Sequence, residues 1–166
     1  MNIQNASDSV VKLDRMRFTK DTLSANLILV AIVLDCLYFV KLYQLDVSTY
    51  YYTWWIGASV IYNLVFLLAA FLCSENVKSR KTNLIPLQIV LAVMQFVRIF
   101  FIPTMARQAT ILKADETVRV MSDETYTYLI AMLIVSGACL AVATVTSLIN
   151  SKKLGDYMKS IETKSA

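Results

Sequence analysis

Residues 29–43 read LVAIVLDCLYFVKLY. Extended back to Leu23, this run is about 21 residues long, enough to cross ~30 Å of hydrocarbon at 1.5 Å per residue. A buried helix of a soluble domain rarely needs so long an uninterrupted apolar stretch, so its length decides the fold class. One residue sits badly in it. Asp35 falls near the middle, where an ionisable group is costly and usually placed for a reason.

Three further runs share this character. The four predicted spans are 23–43, 53–73, 84–102 and 126–149. Composition agrees: the 166-residue chain is 57% hydrophobic and only 17% charged, with a mean hydropathy of +0.57. A soluble domain carries closer to about 25% charge. The expected fold is therefore an all-α integral membrane protein, four transmembrane helices in a small bundle. The segment 1–22 precedes it, and 150–166 follows as a basic tail. The first run lies behind a polar segment of both charge signs and has no small-residue cleavage site, so it reads as a retained span rather than a signal peptide.

Helix punctuation marks the ends. Asp21 or Thr22 can cap the first helix, and Ser122 or Asp123 the fourth, with Glu124 in its first turn. Pro86 suits the opening turn of the third, and Pro103 is expected to stop it. Lys12, Arg15, Arg17, Lys20, Lys78, Arg80, Lys81, Lys152, Lys153, Lys159 and Lys164 fall on one side of the spans. Only Lys41, Arg107, Lys113 and Arg119 fall on the other. The positive-inside rule then predicts both termini in the cytoplasm, with the plasma membrane as the expected location.

An aromatic belt fits the same layout. Tyr50, Tyr51, Tyr52, Trp54 and Trp55 cluster where the second span meets the outer face, and Tyr126 and Tyr128 where the fourth does; rings with a polar tip favour the headgroup region. The alternative for the first group is a sugar or partner platform. The outer loop 104–123 holds ATIL and TVRVM around KADE, which can pair as a short hairpin; the alternative is a loop without structure of its own or ordered by a partner. SVVKLDRMRF (9–18) mixes basic and apolar residues and suits a short helix on the inner membrane face. KKLGDYMKSIETKSA reads as the frayed end of the fourth helix.

The intramembrane polar residues form a pattern. Asp35 is about 12 residues, or roughly 18 Å, past the start of its span, and Arg98 about 14 residues, or roughly 21 Å, past the start of the third. The two spans run in the same direction, so the charges lie at similar depth and are expected to pair. Lys41 is expected to snorkel to the outer headgroups instead. Gln88, Gln95 and Arg98 are spaced by 7 and 3 and so share a helix face, which should turn inward because lipid cannot satisfy amides. Tyr62 and Asn63 of the second span are further expected partners. Gly137 and Ala141 have small-xxx-small spacing, which permits close helix contact. Three readings of this cluster stand: a clamp that packs the bundle, a path for a substrate or ion, and an interface to another subunit.

Several chemistries have no support. There is no histidine, hence neither the commonest metal and haem ligand nor the usual general base. Cys36, Cys73 and Cys139 show no C-x-x-C spacing and read as small apolar residues. No cofactor, metal or catalytic residue is expected. The net charge of +4 lies beside the spans and does not point to nucleic acid. The expected function is that of a non-catalytic accessory, scaffold or regulatory subunit with the bilayer and a membrane protein, or its own copies, as partners. The alternative is a small oligomeric transporter or channel component using Asp35 and Arg98.

Overall fold

A computed structural model describes residues 10–11, 21–44, 53–108, 110–113, 116–119 and 121–165. Its elements are α1 (Thr22–Tyr43), α2 (Thr53–Lys78), α3 (Ile85–Arg98), α4 (Ile102–Gln108), β1 (Thr110–Lys113), β2 (Glu116–Arg119) and α5 (Asp123–Ser165). Four helical stretches are long and apolar enough to cross a membrane: Thr22–Tyr43, Gly57–Lys78, Ile85–Met105 and Asp123–Ser160.

Each helix buries one seam. In α1 it is Ile28, Ala31, Asp35, Tyr38 and Leu42; in α2 it is Asn63, Phe66, Ala70, Cys73 and Val77; in α5 it is Leu133, Ser136, Leu140, Ala143 and Ser147. The spacings alternate between 3 and 4, the pattern of long helices lying nearly parallel with interlocked side chains. Close backbone contact runs around the ring α1–α2–α3–α5 and back to α1, while α1 and α3 face each other across the diagonal. Asp21 N–H donates to the Lys78 carbonyl (3.2 Å) and Asn150 Nδ2 to Asp21 Oδ2 (2.9 Å), so the start of α1, the end of α2 and residue 150 of α5 share one end of the bundle. That is the arrangement of an up-down-up-down chain.

The outside of the bundle is apolar. Val33, Leu37, Leu64, Leu68, Val142 and Val145 are among its exposed large side chains, while Asp35, Asn63, Gln88, Gln95 and Ser136 are buried. Large apolar groups outside and polar groups inside suit a hydrocarbon solvent. The core is split in two. Ile28, Ala31, Phe66, Ala70, Leu91 and Leu140 belong to one apolar cluster, and Tyr38, Leu42, Met121, Leu129 and Leu133 to another.

Several expectations need correction. The third helix does not run unbroken to Ile102 until Pro103 stops it. It ends at Arg98, and Pro103 lies in the first turn of α4. Proline has no N–H to give the carbonyl four residues back and its ring crowds that carbonyl, so the disturbance appears upstream. Ile99, Phe100 and Phe101 instead donate to Phe96, Val97 and Arg98, three residues back, and the Ile99 carbonyl receives the Thr104 hydroxyl at 2.7 Å. Ala141 is exposed, whereas Gly137 is buried beneath the Phe96 ring. The seam of α5 is centred on Leu140, and a position 100° further round the helix leaves it. The tail KKLGDYMKSIETKSA is not a frayed end, since α5 continues as regular helix to Ser165.

Other expectations match. Asp21 caps α1, accepting from Ser24 N–H at 3.2 Å, and Ser122 caps α5, accepting from Thr125 N–H at 3.2 Å. β1 and β2 pair antiparallel, Thr110 opposite Arg119 and Lys113 opposite Glu116. Asp123 ties this hairpin region to α5 through Arg107 (3.0 Å) and Arg119 (3.6 Å). Tyr50, Tyr51, Tyr52 and most of 9–18 lie outside the described residues, and Trp54 and Trp55 are described only as backbone in the first turn of α2. Tyr126 packs against the second apolar cluster beneath the Arg107 guanidinium, and Tyr128 is exposed.

The end of α2 carries a testable strain. Arg80 N–H donates to the Val77 carbonyl and Lys81 N–H to that of Asn76, with Arg80 at φ 54°. This hydrogen-bond pattern places a residue in the left-handed region, which suits glycine and costs other residues about 1 kcal/mol. Arg80 Nε is also buried without a partner among the described residues. Arg80→Gly is therefore expected to stabilise the protein by about 1 kcal/mol, read as a higher thermal unfolding midpoint in detergent.

Candidate functional site

The two apolar clusters are separated by a polar layer. Asp35 enters it from α1, Asn63 from α2, Gln95 and Arg98 from α3, and Ser136 from α5. Each side chain occupies a seam position of its helix, so the same 3-and-4 spacing that packs the bundle also brings these groups to its axis.

Arg98 organises the layer. Its Nη1 donates to Asp35 Oδ1 in a salt bridge and to Gln95 Oε1 at 3.1 Å. Its Nη2 donates to Asn63 Oδ1. Gln95 Nε2 donates to Asp35 Oδ1 at 3.2 Å and to Ser136 Oγ at 3.1 Å, and the Ser136 hydroxyl donates to the Ala31 carbonyl at 3.2 Å. All four helices of the bundle are thus joined at one level. The guanidinium carbon lies 4.6 Å from the centre of the Tyr38 ring and 4.8 Å from that of Tyr62. Both are cation–π distances. The side chain of Asp35 is 1% exposed and that of Arg98 10%, so water does little to screen the pair.

The charge is balanced, but hydrogen-bonding capacity is left over. Asp35 Oδ2 and the Tyr62 hydroxyl are buried with no partner among the described residues. The helix also breaks directly after Arg98, so the residue that anchors the layer is the last of α3.

The structure brings together Asp35, Arg98, Gln95, Asn63 and Tyr62 of the expected cluster. Gln88 is buried on the same face but makes a separate contact, its Nε2 donating to the Leu140 carbonyl at 3.4 Å. Lys41 is exposed, away from Asp35. Sequence reasoning missed Tyr38 and Ser136. Tyr38 follows Asp35 by three positions, which places it on the same face, and that signal was available. Ser136 belongs to a run of small residues with nothing to single it out. A second polar group at the end of the bundle was also missed: Asp21, Ser24, Thr146 and Asn150 are linked by side-chain hydrogen bonds.

Chemically, the layer can hold a cation against two rings and neutralise it with one carboxylate. Among the described residues no three of His, Cys, Asp and Glu converge on a point where a metal ion could bind. Comparison with protein families, characterised proteins and solved structures gave no match to this chain.

Proposed function

We propose that this is a small non-catalytic multi-pass membrane protein, acting as an accessory, scaffold or regulatory subunit of a larger membrane assembly. Both ends of the chain face the cytoplasm in this reading, and the plasma membrane is the home that the distribution of Lys and Arg favours. One observation carries it: the intramembrane cation is held by three side-chain acceptors of its own bundle, with apolar clusters above and below. A polar layer of that kind sets helix register and leaves the apolar exterior for lipid and for other membrane helices. Purification in mild detergent tests the reading. A stoichiometric membrane partner is expected, and a chain that purifies alone at every detergent strength argues against it.

A second reading has its own support. The span that bears Arg98 is interrupted beside the charge, and one carboxylate oxygen of Asp35 is unused; broken helices and intramembrane charges both mark transport sites in membrane proteins. In that reading the chain is a component of a small transporter or channel. Exchanging the pair, Asp35→Arg with Arg98→Asp, separates the two. Folding and partner capture both survive the exchange if the pair is only a clamp. Folding survives and vesicle flux is lost if the pair lines a path.

A further inference from the structure

The slot around Arg98 has the composition of a receptor for a flat organic cation. Tyr38 and Tyr62 present ring faces to the guanidinium at 4.6 and 4.8 Å. Asp35 supplies the counter-charge, and Asn63 and Gln95 supply amide oxygens for its N–H edges. Two acceptors exceed what Arg98 uses, Asp35 Oδ2 and the Tyr62 hydroxyl, and both are buried.

Arg98 is also placed so that it can leave. It ends α3, and the next three residues are held by bonds to residues three back rather than four, ahead of a proline that cannot extend the helix. It lies about 13 residues past Ile85, roughly 20 Å into a ~30 Å hydrocarbon layer. The headgroups at the hairpin end are therefore within reach of a snorkelling arginine. A displaced guanidinium thus has a polar destination, which removes the main penalty against opening the layer.

We infer that the Asp35–Tyr38–Tyr62–Asn63 slot is a binding site for a small planar organic cation of the guanidinium or amidinium class, and that Arg98 is its internal occupant, displaced when the ligand enters. The inference rests on the second functional reading, that the layer is a site as well as a clamp. Arg98 acts here as a built-in competitor. The apparent affinity of the intact protein is the intrinsic affinity reduced by the fraction of molecules in which Arg98 has swung out.

The test uses the full chain in detergent with methylguanidinium chloride as the probe, and urea and sodium chloride at equal concentration as controls. Saturable binding of one equivalent to the unaltered protein is expected by titration calorimetry, with a raised thermal midpoint that neither control reproduces. Arg98→Ala is expected to bind at least about tenfold more tightly, because the competitor is gone. Asp35→Asn is expected to weaken binding at least about tenfold, as loss of a buried charge partner does. Should Asp35→Asn fail to fold, Tyr62→Leu serves in its place, with an expected weakening of about fivefold, of which Tyr62→Phe, losing the spare hydroxyl and keeping the ring face, shows only a part. Binding to Arg98→Ala but never to the unaltered protein overturns the inference, since the slot is then a clamp alone. Binding that neither Asp35→Asn nor Tyr62→Leu weakens also overturns it. Flux is scored separately in vesicles. Binding without flux keeps the site and ends the transport reading, whereas flux of other solutes without methylguanidinium binding keeps that reading and ends this inference.

Discussion

Arg98→Met is expected to destabilise the folded protein by about 3–5 kcal/mol, the usual consequence of leaving one charge of a buried pair without its partner. Asp35 is 1% exposed and would keep only the Gln95 amide as a donor among the described residues. Neither lipid nor the Tyr38 ring can replace the guanidinium. Asp35→Leu should cost a similar amount, because Arg98 would retain no counter-charge, only the amide oxygens of Asn63 and Gln95 and the ring faces of Tyr38 and Tyr62. The double variant Asp35→Leu with Arg98→Met is expected to recover at least half of the single-variant loss. Apolar residues of similar volume replace a buried ion pair with little net penalty, and the remaining deficit comes from the stranded amide oxygens, at about 1–3 kcal/mol. Unfolding free energies from titration with a denaturing detergent check all three. A double variant as unstable as the sum of the singles would mean that the pair is not coupled.

The second large effect lies at the other polar group. Asp21 is 5% exposed, and its carboxylate accepts from Ser24 N–H, the Ser24 hydroxyl and Asn150 Nδ2. It therefore caps α1 and ties α1 to α5 at once. Asp21→Ala is expected to cost about 2–3 kcal/mol, combining a lost cap of about 1 kcal/mol with the stranding of the Asn150 amide. Asp21→Asn keeps a side-chain oxygen for the cap and should lose less than about 1 kcal/mol. Thermal midpoints separate the two variants. Faster proteolysis at the start of α1 in Asp21→Ala alone would locate the loss at the cap rather than in the bundle as a whole.

Much of this was legible before the structure. Span lengths followed from apolar run lengths. The pairing of Asp35 with Arg98 followed from comparing depths at a fixed rise per residue, because two ionisable groups at one level in hydrocarbon have few alternatives to each other. The hairpin followed from two β-prone runs around a turn. The misses share a physical origin in effects that act at a distance along the chain. Local reading makes Pro103 an end at its own position, yet its missing N–H and its ring act on the carbonyl of Ile99, so the helix gives way before it. Local spacing makes a pair of Gly137 and Ala141, but which face is buried depends on where α1 and α3 stand around α5. Ser136 is in the layer only because Gln95 and the Ala31 carbonyl reach it from two other helices, and nothing local to the sequence records that.

The unbroken length of α5 has a mechanical consequence. Its 43 residues make a rod of about 64 Å, roughly twice the hydrocarbon thickness. Asn150 is bound to the start of α1, and the residues beyond it form an arm of about 22 Å. Ser136, on the same rod, is hydrogen-bonded to Gln95 in the polar layer. A tilt of about 10° around Asn150 would carry the tip of the arm through about 4 Å, at the helical rise per residue. The helix α5 is thus a lever with its fulcrum at one end of the bundle and nearly equal arms, about 21 Å back to Ser136 and about 22 Å out to the tip, so a shift at Arg98's layer is carried at full size to a surface that another protein can feel.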